Sequence, residues 1–214
     1  MNRKILLSVV ALASLTSPVQ ADDLSLSPYI GIDLGRSVYS YTTEDVAGVR
    51  VDNEDLLGNS FTHVNAHIGT RFSNYFGAEF GYFRSNNAKE TVTPAEVNTA
   101  LTALGASTIT DSVGTKIRLH GLSLDGMGYM PVMDDKRLEL IGTAGVTWTK
   151  ATIDETPLTY KATETDIGFR IGGGAQYAIT DQINARGLLR YQTADFDDIA
   201  DHAWTYSFGV NYKF

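Results

Sequence analysis

Nine ionisable residues, Asp33, Arg71, Glu79, Asp125, Glu139, Arg170, Arg186, Arg190 and Lys213, sit among glycines in segments that alternate polar and apolar side chains. Arg71, Arg170, Arg186 and Arg190 against Asp33, Glu79 and Glu139 have the chemistry of a packed ionic plug; lining an opening, the same groups would make a narrow ion-conducting path. His63 and His67 stand four residues apart, which in a strand puts them on one face, roughly 13 Å apart at ~3.3 Å per residue. That is too far for one metal ion, so both are read as polar members of the network. His202 follows Asp201, and an imidazole beside a carboxylate supports acyl transfer when a serine nucleophile adjoins it. No motif places such a serine. Two acidic clusters, Glu44, Asp45, Asp52, Glu54 and Asp55, then Asp195, Asp197, Asp198 and Asp201, have oxygens that suit Ca²⁺ or Mg²⁺. Their spacing matches no EF-hand loop and is read as solvated surface. No catalytic, cofactor or metal residue is assigned.

The elements that must position the nine ions are strands. Eight segments alternate with period 2: residues 29–41, 61–72, 76–85, 115–130, 137–149, 165–179, 183–192 and the terminal "WTYSFGVNYKF". One face carries Ile30, Ile32, Leu34, Val64, Ile68, Phe80, Val146, Ile171 and Leu189; the other carries the glycines and the charges. Two defects stand out. Arg36 falls on the apolar face, so either a bulge near Gly35 flips it or it snorkels at a rim. Ile117 and Leu119 are out of phase with Leu122 and Leu124, which predicts a bulge at Gly121. The connections alternate long (43–60, 87–114, 150–163, 194–201) and short (74–75, 131–135, 180–182). Thr93, Pro94, Glu96 and Gly105 bracket a predicted helix over 94–104 inside the second long connection.

The first 21 residues have another role. Arg3 and Lys4 precede a short apolar run, and Val19-Gln20-Ala21 is a small-x-small cleavage site. This is a signal peptide, leaving a mature chain of 22–214. Its loss takes two of the 17 basic residues, leaving 15 against 25 acidic, or −10. An acidic chain without a basic stripe excludes nucleic acid as a partner. Without cysteine there are no disulfides.

Charge decides which face turns inward. Each buried ion costs several kcal/mol unless paired, so a soluble core could not hold nine. With the apolar face against hydrocarbon, the ions lie inside and pair. The backbone must then satisfy itself, which requires a closed sheet. An all-β, closed, eight-stranded antiparallel transmembrane barrel follows, with short periplasmic turns and long extracellular loops. Phe72, Tyr75, Phe76, Tyr129, Tyr177, Tyr212 and Phe214 fall near the short-turn end; Tyr39, Tyr41, Trp148, Tyr191, Trp204 and Tyr206 fall near the other, as two interfacial girdles.

With these features the chain resembles the small eight-stranded outer-membrane barrels of Gram-negative bacteria, the OmpA/OmpX-like and opacity-like group. Its most specific mark is the last strand, with Phe208, Val210, Tyr212 and the final Phe214; "NYFGAEFGYF" and "GYMPVMDDKRLELIGTAGVTW" also resemble the group's hairpins. The resemblance implies an outer-membrane monomer amid lipids and lipopolysaccharide. It implies that the barrel-assembly machinery reads the last strand during insertion. It further implies a structural or surface-interaction role, with loops meeting host or environmental ligands. A narrow pore and a rim enzyme modifying lipid A, built on His202, are the alternatives.

Overall fold

The computed structural model describes residues 26–41, 43–46, 49–52, 60–92, 113–133, 136–156, 160–193 and 200–214. The expected signal peptide and the 94–104 helix lie outside them. The side chains of the two acidic clusters and of Tyr41 are likewise not described.

Among the described residues, eleven strands follow in order: β1 (Ser27–Tyr41), β2 (Thr43–Val46), β3 (Val49–Asp52), β4 (Ser60–Arg71), β5 (Phe76–Ser85), β6 (Ala88–Val92), β7 (Val113–Pro131), β8 (Leu138–Thr156), β9 (Tyr160–Ala178), β10 (Ile183–Thr193) and β11 (Ala200–Lys213). Eight of them, β1, β4, β5 and β7 to β11, pair antiparallel in one sheet. The β5–β7 pairing joins its two ends and closes the barrel. β11 pairs with β1 on one side and β10 on the other, so the apolar terminal strand has no free edge. β6 continues β5 along the upper part of β7. The step between them is stitched by Ser85, whose hydroxyl accepts from the Leu119 N–H at 2.8 Å and donates to the Asn86 carbonyl at 2.7 Å.

Two of the three short turns use one device. The Ser73 hydroxyl accepts from the Phe76 N–H at 3.0 Å, and the Thr180 hydroxyl from the Ile183 N–H at 3.0 Å. Both turn back the chain with a side chain in place of a backbone partner.

Side chains alternate as the period-2 pattern expects. Ile32 is 51 %, Val146 38 % and Val210 47 % exposed on the outer wall, whereas Asp33 is 1 % and Glu79 2 % exposed inside. The pattern is corrected at several points. Neither bulge exists: pairing runs unbroken through Gly35 and through Gly121, and the one irregularity of β1 lies between Ser40 and Tyr41. Arg36 therefore points outward and donates to the Ser60 hydroxyl. Ile117 and Leu119 are buried inside, where they join Tyr39, Phe61, Ala151 and Ala203 as an apolar layer toward the loop end. Tyr39 and Tyr129 belong to the interior and not to the girdles, because they share parity with Asp33 and Asp125. The third connection is not long. β8 and β9 keep pairing from Thr152↔Thr163 to Glu155↔Tyr160, leaving only 157–159 between them. The first long connection contains the β2–β3 ribbon.

Candidate functional site in the barrel interior

The inward rows of the sheet bring the ions to three depths. At the centre, Arg186 on β10 is buried and grips two acids. Its Nε and Nη2 donate to Asp33 Oδ1 and Oδ2 at 2.8 and 2.6 Å, and Nη1 donates to Glu79 Oε2 at 2.6 Å. Side-on pairing of a planar guanidinium with a carboxylate is the strong form of this bond. Remaining lone pairs are met locally: Asn65 donates to Asp33 at 3.2 Å, and the Tyr29 hydroxyl to Glu79 at 3.1 Å. Arg186 Nη2 lies 3.2 Å from His67 Nδ1, and His67 Nε2 lies 2.8 Å from Asn211 Oδ1. A guanidinium only donates, so Nδ1 accepts and the imidazole carries its proton on Nε2.

Toward the short-turn end, Arg71 holds Glu139 by two bonds, at 3.0 and 2.5 Å, and its guanidinium stacks 3.6 Å over the Tyr129 ring. Gln176 donates to the same Glu139. Met127, Tyr129, Ile141 and Leu188 pack together beside this pair. Toward the loop end, Arg170 pairs with Asp125 through Nε at 2.6 Å and through Nη2. Arg190 is brought only to 3.9 Å from Glu79, whose oxygens Arg186 already occupies. Its Nε and Nη2 have no hydrogen-bond partner among the described residues.

The pairs reach one another because glycine stands between them. Asp33 and Arg186 both lie opposite Gly209 of the intervening β11, and a Cβ there would strike the Asp33 carboxylate and the Ile32 carbonyl. Asp125 and Arg170 likewise bond across Gly145 of β8. His67 reaches Asn211 across Gly31, and Tyr29 reaches Glu79 across Gly69. Reading by parity missed Tyr29, Asn65, Gln176 and Asn211 as partners. Each shares the inward parity of the ions, which was the signal available.

His63 faces the same interior with Ser37, 3.5 Å from its Nδ1, beside a cavity of about 30 Å³. That is room for about one water. The described residues contain no group of three or more His, Asp or Glu able to hold a metal. His202 points outward and stacks on Tyr191 with ring centroids 5.3 Å apart; the Asp201 side chain is not described. Phe208, Val210, Tyr212 and Phe214 are exposed along the outer face of β11.

The sequence profile of the outer membrane protein beta-barrel domain matches residues 7–214. Among solved structures, Neisserial surface protein A is similar at 15 % identity and a TM-score of 0.59, covering 87 % of this chain and 97 % of that one. The outer membrane protein OprG from Pseudomonas aeruginosa is similar at 15 % identity and TM-score 0.53, with 88 % and 96 % covered. A major outer membrane protein from Thermus thermophilus is similar at 10 % identity and TM-score 0.50, with 86 % and 99 % covered. No curated protein matches the sequence at a significant level.

Proposed function

The chain belongs to the outer membrane protein β-barrel domain family and resides in the outer membrane, and from that premise we propose that it is a closed-lumen barrel with a structural or surface-interaction role. The observation that supports the closed lumen is its stacked filling. The apolar layer of Tyr39, Phe61, Ile117 and Leu119, the Arg186 cluster and the Arg71–Glu139 pair succeed one another along the interior. Eight strands enclose a space that side chains can fill. Function then belongs to the exterior: the wall against lipid and the loops beyond it, which meet a host or environmental ligand. The name of Neisserial surface protein A, the structure with which the chain shares its fold, supports a surface role by analogy. Residues 1–21 act as the cleaved export signal, and Phe208, Val210, Tyr212 and Phe214 present the strand that the assembly machinery reads. We assign no reaction to the interior.

Planar-bilayer recording with the refolded mature chain tests the closed lumen. The expected trace has no unitary steps; steps of one reproducible size would establish the narrow pore instead. Deleting 53–59 or 194–199 and scoring cell binding tests the surface role, with loss of binding expected from at least one deletion.

A further inference from the structure

The outer wall carries its charge on one side and at one end. Across β5, β7, β8 and β9, one outward row is Phe80, Leu124, Val146 and Phe169, and the next toward the loops is Tyr82, Leu122, Trp148 and Ile167. Roughly 6–7 Å further along the strands the row becomes Arg84, His120, Lys150 and Thr165. Arg118 follows diagonally, its Nε donating to the Asn87 side chain at 2.9 Å. Hydrocarbon, aromatic and cation thus succeed one another in the order of acyl chains, interface and headgroups.

One sign dominates. Among the described side chains on the outward face of the barrel strands, every Asp, Glu, Lys or Arg is basic: Arg36, Arg84, Lys116, Arg118 and Lys150; the register also sets Asp154 opposite Lys116. The basic residues other than Arg36 gather on β5, β7 and β8. Across the barrel, the corresponding band of β10 and β11 holds Tyr191, Trp204 and Tyr206. The chain as a whole is acidic, at −8, so this patch runs against its composition. Like charges set beside one another across strands are destabilising. Arg84 and Lys150 flank His120, Arg118 stands two residues along the same strand and diagonal to the other two, and the row that Arg84, His120 and Lys150 share carries no carboxylate; Asp154, opposite Lys116 in register, lies two rows nearer the loops. A multivalent anion would offset them.

We propose that Arg84, Arg118, His120 and Lys150 form a site for the phosphate groups of a phosphorylated glycolipid in the leaflet at the loop end. Arg84 and Arg118 offer planar forks that suit phosphate oxygens, and Lys150 a point charge. Trp148 and Tyr82, one row below, lie at the junction of sugar and acyl chain. The site rests on the outer-membrane placement and is independent of the closed lumen.

The test titrates the detergent-purified folded barrel with bis-phosphorylated lipid A and counts bound lipid by native mass spectrometry. One saturable lipid per chain is expected. The Arg84→Gln/Lys150→Gln variant should retain it roughly tenfold or more weakly, about one kcal/mol per cation near an anionic headgroup layer, while Arg36→Gln changes affinity less than about threefold. Removing the lipid's phosphates should cost as much as the double substitution. Equal retention by the double variant, or of the dephosphorylated lipid, overturns the site. So does inorganic phosphate binding as tightly as the lipid, which would make the cluster a free-phosphate site. Folding of each variant is read from compact electrophoretic mobility before heating. Should the double variant not fold, Lys150→Gln alone takes its place, with weaker retention expected and unchanged retention decisive against. Insertion of the wild-type chain into phosphatidylcholine vesicles, read the same way, separates failure of this site from failure of the membrane placement.

Discussion

Arg186 and Arg71 carry the same side chain into different surroundings, and the difference predicts different energetics. Arg186 is paired with two acids whose side chains are, like its own, about 1 % exposed. Removing it strands both carboxylates without water, which costs roughly 3–5 kcal/mol. Arg71 and Glu139 keep 15 % and 11 % exposure, and Gln176 still donates to Glu139. Arg71→Met should therefore cost less, about 1–3 kcal/mol. Urea unfolding in lipid vesicles, followed by the fluorescence of Trp148 and Trp204, checks the order; equal losses would refute it. Parity alone was enough to list Asp33, Arg71, Glu79, Glu139, Arg170, Arg186 and Arg190 as inward. It could not say which acid each arginine takes, because partners come from strands far apart in the chain. Arg186 and Asp33 are 153 residues apart, and only closure brings them together.

At the scale of the element, strand positions were legible and their boundaries were not. Alternation located all eight barrel strands, yet β8 and β9 run to Thr156 and back from Tyr160 where a loop was expected. Pairing across a hairpin holds residues such as Asp154, Glu155 and Lys161, whose types do not favour strand by themselves. The expected bulge at Gly121 was an error of the same kind. Apolar Ile117 and Leu119 were assumed to face outward, but the interior toward the loop end is itself apolar. Glycine separates into two classes that sequence does not distinguish. At Gly209 a Cβ collides with the Ile32 carbonyl and with the Asp33 carboxylate, whereas at Gly142 nothing lies within 4 Å. Gly209→Ala should destabilise by about 1–3 kcal/mol and loosen the Arg186–Asp33 bond. Gly142→Ala should fall within about 0.5 kcal/mol of neutral. Paired unfolding curves decide this, and similar losses at both positions would sink the account of glycine as the gap through which ions reach.

For the whole molecule, the membrane makes the cost of an outward charge depend on depth. Val146 lies in the Phe80–Phe169 row; Thr152 lies three rows nearer the loops, beside Arg118. Val146→Arg should cost roughly 2–4 kcal/mol and Thr152→Arg about 0–1, measured as unfolding free energy in vesicles. A gradient absent or reversed would remove the hydrocarbon from the middle of the wall. The sequence by itself determined the fold class, the inward set of ions and the outer membrane as the solvent of the apolar face. Period-2 alternation is a local property, and the desolvation of unpaired charge allows only one face to turn inward. Only the tertiary structure decided which charges pair, which glycines make room for them, and that Arg84, Arg118, His120 and Lys150 share one patch. Those are properties of register between strands, and register is set when the sheet closes on itself.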